Sequence, residues 1–137
     1  MGEGMASEGM AVERYSNSTV WESTVGYCRA VKAGQFIFVS GTAPAADGGG
    51  TFAPHDAYAQ TKRCLDIIEQ ALQHFGADRS NVVRTRMFVT DMQRWDEYAR
   101  GHQEMFGDCP PASTMVEIQG LVNEDMTIEI EVDAVLD

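Results

Sequence analysis

The chain has 137 residues, 44% of them apolar and 23% charged, the size and balance of one globular domain with its own core. Its formal net charge of -11 repels phosphate backbones and argues against RNA or DNA as a main partner, and no apolar run reaches the roughly 18 residues of a membrane span. Three scattered cysteines, Cys28, Cys64 and Cys109, make no disulfide framework, and reduced thiols suit a cytoplasmic protein.

In chain order, residues 1–12 are rich in Gly, Glu, Met and Ser and are expected to form a flexible tail, with a short edge strand near Val12–Tyr15. One domain is expected over 13–137. Tyr27–Lys32 reads as a strand, Ala33-Gly34 as a turn, and Phe36–Ser40 as the returning strand. Pro44 to Pro54 is a loop. Asp56 is placed to cap a helix running to about Phe75, with Cys64, Leu65, Ile68, Ala71, Leu72 and Phe75 on one stripe and Gly76 as its stop. Val82–Val89 is a β-branched strand. Asp91 is placed to cap a second helix, with Trp95, Tyr98, Ala99, His102 and Phe106 on one face and Gly107 at its end. Pro110-Pro111 returns the chain to extended backbone, Thr114–Ile118 forms a strand, and Thr127–Val135 alternates most cleanly of all. The sum is an α+β domain with two helices on one face of a sheet.

Two strands are apolar on both faces. Phe36 and Phe38 point opposite to Ile37 and Val39, and Phe88 opposes Met87 and Val89. Two helices cover one face only. Each large apolar side chain left in water forfeits about 1.5–3 kcal/mol, so the second face is expected to meet other copies of the chain, or else the N-terminal segment.

Few patterns carry chemistry by themselves. His55, His74 and His102 have no metal-ligand spacing, so no metal site is expected. Ser40-Gly41 ends a strand, either as a turn or as a place where bare backbone meets a ligand. Glu129, Glu131 and Asp133 share a strand face, where Glu131 and Asp133 read as solvated and Glu129 sits nearest a cleft mouth. Ser113, Met115 and Glu117 share one face of their strand. Arg84, Arg86 and Phe88 share one of theirs, where Arg86 either clamps a carboxylate or makes an ordinary ion pair.

Five fragments in sequence then take on meaning together. They are Val25-Gly26-Tyr27, the Phe36–Gly41 run FIFVSG, the Val83–Asp91 run VRTRMFVTD, the Pro111–Glu117 run PASTMVE and the Thr127–Val135 run TIEIEVDAV. Their order and spacing resemble the Rid family (reactive intermediate deaminase, YjgF-like, also called the L-PSP endoribonuclease family). The resemblance implies a chorismate-mutase-like fold and a homotrimer with clefts between neighbouring subunits. It implies hydrolysis of enamines or imines to ketones and ammonia, with a small-molecule substrate and without metal or organic cofactor. Some members are known as ribonucleases or translation inhibitors, a role the net charge disfavours here.

By the resemblance, Tyr27 matches a cleft tyrosine, Gly41 a backbone donor facing substrate, and Glu129 the glutamate that positions or activates water. Ser40 adjoins that backbone. Three matches fail: the arginine that grips a substrate carboxylate falls at Ser113, the cleft cysteine at Met115, and a cleft asparagine at Ala99. A lost bidentate clamp weakens simple 2-imino acids as substrates. The chain is therefore expected to use Glu129 as catalytic residue and Tyr27, Ser40, Gly41, Arg86, Ser113, Thr114 and Met115 toward a differently shaped substrate. The competing expectation is a trimer that binds a metabolite and does no chemistry.

Overall fold

The structure is a computed structural model and describes residues 11–137. Among these residues six strands form one mixed sheet: β1 (Val12–Tyr15), β2 (Ala30–Ala33), β3 (Phe36–Thr42), β4 (Val82–Val89), β5 (Ala112–Glu117) and β6 (Ile128–Val135). Their spatial order is β1-β2-β3-β6-β4-β5. All neighbours are antiparallel except β4 and β5, which run parallel and pair from Arg84↔Ala112 to Val89↔Glu117. The three α-helices are α1 (Val20–Val25), α2 (Ala57–His74) and α3 (Trp95–Phe106). A parallel neighbour needs a crossover, and α3 supplies it between β4 and β5. Among the described residues, no helix is long and apolar enough to cross a membrane.

The expected α+β class holds, with α2 packed on β3, β6 and α3. The Asp56 carboxylate accepts the Ala59 amide at 2.9 Å and starts α2. The helix buries Cys64, Leu65, Ile68, Ala71 and Leu72. Gly76, at φ 80°, takes the left-handed conformation that ends the turn. The crossing of α2 and α3 is close, since a Cβ on Gly101 would lie 2.8 Å from Thr61 Cγ2.

Three expectations need correction. Asp91 caps a 3-10 turn, Met92–Arg94, and α3 begins only at Trp95. Trp95 is 58% exposed, because the packed face of α3 starts a turn later at Tyr98. The strand read from Tyr27 starts at Ala30, and the residues before it lead in from α1. That helix was not expected: it has six residues and no apolar period, and Glu22 starts it by accepting the Thr19 amide at 3.1 Å. The short edge strand expected near Val12–Tyr15 is β1, where Val12 pairs with Ala33, and residues 1–10 of the expected tail lie outside the described residues.

The core lies between the sheet and α2. Ile37, Val39, Met87, Val89, Ile128, Ile130, Val132 and Ala134 fill its sheet side. The opposite sheet face is open. Phe36 and Phe38 stay 47% and 48% exposed, their rings 6.4 Å apart. Paired positions share a face, so Val31 and Asp133, opposite Phe38, lie there too, as do Arg86, Phe88, Glu129 and Glu131.

Candidate functional site

The ladder between β3 and β6 breaks at one place. Val39 pairs with Val132 and Thr42 with Ile130, so β3 spends an extra residue opposite Glu131. The bulge keeps Val39 and Thr42 both in the core and turns the Ser40–Gly41 backbone toward the open face.

That bulge brings Gly41 against the Glu129 side chain. A Cβ at position 41 would overlap Glu129 Oε2 and stand 3.1 Å from its Cδ, so any larger residue there displaces the carboxylate. The Glu129 carboxylate is half-buried and makes no hydrogen bond to the described residues. Burial raises its pKa above the usual range, Arg29 works against that rise, and Glu131 adds to it.

Arg29 completes the cluster. It is 6% exposed, and its Nη2 donates to the Gly41 carbonyl at 2.5 Å. Its guanidinium carbon lies 5.7 Å from the centre of the Tyr27 ring, within cation–π reach. On the other side of Ser40, a pocket of about 510 Å³ is lined by Arg14, Glu22, Tyr27, Cys28, Val31 and Ser40, among others. The Ser40 hydroxyl donates to the Cys28 carbonyl at 2.7 Å and ties the two segments together. Glu22 is buried here. Burial acts to raise its pKa, but hydrogen bonds from Ser16 and Thr19 and the Arg29 charge outweigh it, so the carboxyl sits below its usual range.

Of the residues expected from sequence, Tyr27, Ser40, Gly41 and Glu129 therefore come together. The others do not join them within one chain. Arg86 lies on the same face but donates to Asp133 at 3.2 Å in a part-exposed ion pair. Thr114 pairs with Arg86 and shares its face. Ser113 and Met115 pair with Thr85 and Met87, so they turn to the helix side. There the Thr85 hydroxyl donates to Ser113 Oγ at 2.7 Å and lies 2.9 Å from His102 Nε2.

Two site residues went unread in the sequence, Arg29 and Glu22. Their signals were an arginine wedged directly before an apolar strand, and the Thr19-x-x-Glu22 spacing of a capping box. The chemistry available is that of a partly desolvated carboxylate against bare backbone. Such a group exchanges protons closer to neutral pH than a solvated one does.

Comparison with known proteins adds the following. The Endoribonuclease L-PSP family model matches residues 18–136. An uncharacterised protein of Streptomyces coelicolor is 33% identical over 130 residues, 95% of each chain. A 3-aminoacrylate deaminase, RutC, of Acinetobacter baylyi is 31% identical over 104 residues, 76% of this chain and 82% of that one. The crystal structure of Rv2704 from Mycobacterium tuberculosis, described as a member of the highly conserved YjgF/YER057c/UK114 family, superposes with a TM-score of 0.83. It is 39% identical, with 92% of this chain and 100% of that one covered.

Proposed function

The chain belongs to the Endoribonuclease L-PSP family, the Rid and YjgF-like group, and from that membership we propose that it is a small-molecule deaminase hydrolysing an enamine or imine. The reaction site is a cleft between subunits of a chorismate-mutase-like homotrimer in the cytoplasm. The deaminase relative from Acinetobacter baylyi supports a deaminating role. The open Phe36–Phe38 face supports assembly, since a lone chain leaves it in water.

The observation that carries the reading is the Glu129 carboxylate, half-dry and resting on Gly41. Water attacks the imine carbon while Glu129 takes a proton from it. The Gly41 backbone and the Tyr27 hydroxyl orient the substrate. Glu129 then returns that proton to nitrogen, giving a carbinolamine, and as the carbon–nitrogen bond breaks the carbinolamine hydroxyl proton passes to the leaving nitrogen, so that a carbonyl compound and ammonia leave. Ser113, Thr114 and Met115 stand on the edge strand β5, Thr114 on the open face and Ser113 and Met115 on the helix side, and in this reading that edge completes the cleft of a neighbouring subunit. Serine in place of a guanidinium at position 113 selects against simple 2-imino acids.

The test is ammonia release from 2-aminomuconate, 3-aminoacrylate and a panel of amino-acid-derived imines, generated in place. Release above buffer with at least one compound is expected. No release from any, with a compound bound tightly and recovered intact, would leave a metabolite-binding trimer instead.

A further inference from the structure

A buried guanidinium is retained only where its donors and charge find partners. Arg29 is one of the few charged groups among the described residues to be almost fully buried. Its backbone is fixed at both ends: its amide donates to the Tyr15 carbonyl at 2.8 Å, and its carbonyl accepts the Ser40 amide at 3.0 Å. Its side chain then reaches forward to the Gly41 carbonyl, across the peptide on which Glu129 lies. Its Nε has no hydrogen-bond partner and no solvent contact among the described residues. The enclosure of Nε turns the guanidinium toward the Gly41 peptide rather than toward solvent.

We propose that Arg29 is a positioning residue for Glu129: its guanidinium holds the Gly41 peptide against which the Glu129 carboxylate lies, and sets a positive charge behind it. The surroundings leave Arg29 as the cation for this task. Glu131, on the same strand, repels Glu129. Arg86, across from Glu131, is engaged by Asp133. From β3 and β4, Glu129 meets Gly41 and, in register, Phe88, neither of them charged. On the far side of the sheet, the α2 thiol Cys64 lies in the core and is pushed well up by burial first and by the Glu129 charge second, so it stays neutral and offers Glu129 no cation. From α1, Glu22 draws on the same arginine.

The kinetic consequence rests on the hydrolytic reading, but the electrostatic claim does not. Carbon-13 NMR of glutamate-labelled protein, with the Glu129 signal assigned by Glu129→Gln, follows the titration with no substrate present. Arg29→Gln is expected to raise the Glu129 midpoint by about one unit, and Arg29→Lys to restore most of it. If Arg29→Gln does not fold, the wild type still carries the test. Its Arg29 Nε–H resonance is expected to move with the Glu129 midpoint, and to stop moving in Glu129→Gln. Where ammonia release is measurable, the acid limb of its pH profile shifts up by the same amount in Arg29→Gln while the alkaline plateau remains, a roughly tenfold drop confined to the acid side. A Glu129 midpoint unchanged in Arg29→Gln, or an Arg29 signal indifferent to Glu129, overturns the proposal. Absence of turnover with the NMR shifts intact removes the hydrolytic reading alone.

Discussion

The Glu129 carboxylate rests on Gly41 so closely that a Cβ there would displace it. Two elements distant in sequence are thus locked together, a bulge in β3 and the start of β6. Any group larger than hydrogen at position 41 must push the carboxylate away. Gly41→Ala is therefore expected to reduce ammonia release at least about tenfold while costing the fold little, because what it displaces is the free end of a flexible side chain. Urea unfolding alongside the activity assay separates the two effects.

Glu129 also leaves a mark on stability. Burial raises its folded pKa above the unfolded value, so the folded state binds its proton more tightly. Its contribution is fully present below the unfolded pKa of about 4.3 and is lost as pH rises through the folded value. Glu129→Gln is expected to match wild-type stability near pH 4 and to exceed it at pH 7. Paired denaturation curves at the two pH values check this.

His102 acts in the opposite direction. Burial lowers its pKa, and its ring sits against the Thr85 hydroxyl. The folded state resists a proton that the unfolded chain accepts below about pH 6.5. Its stabilisation is therefore present above that pH and lost as pH falls through the folded value. His102→Gln is expected to show a smaller loss of stability between pH 7 and pH 5 than the wild type, measured by thermal unfolding across that window.

The open face makes its own prediction. Phe36 and Phe38 are surface residues of the single chain, so replacing both with serine is expected to spare the monomer's core. If copies of the chain cover this face, the double variant loses self-association and scatters light as a 15.0 kDa particle, while the wild type gives a multiple of that mass. Equal masses for the two proteins would contradict the assembly.

Much of the frame was legible because its signals are periodic. The Asp56 cap with the Cys64–Leu72 stripe, the Val82–Val89 strand and the alternation in β6 all stand where the sequence puts them. The parts that escaped are those set by tertiary contact. Six residues with no apolar period do not declare α1. The bulge at Ser40–Gly41 exists only against β6. Alternation in β5 showed that Ser113 and Met115 share a face, but which face follows from their pairing with Thr85 and Met87. Tyr27, Gly41 and Glu129 were legible through resemblance, whereas Arg29 acquires a role only when Gly41 and Glu129 are seen beside it.

The most direct test of the account compares ammonia release by the wild type and by Glu129→Gln on whichever enamine or imine the wild type turns over fastest. Proton transfer by a positioned side chain contributes about a hundredfold to ten-thousandfold. The account predicts a loss of that order in Glu129→Gln, with the protein still folded. Equal rates for the two proteins would contradict it.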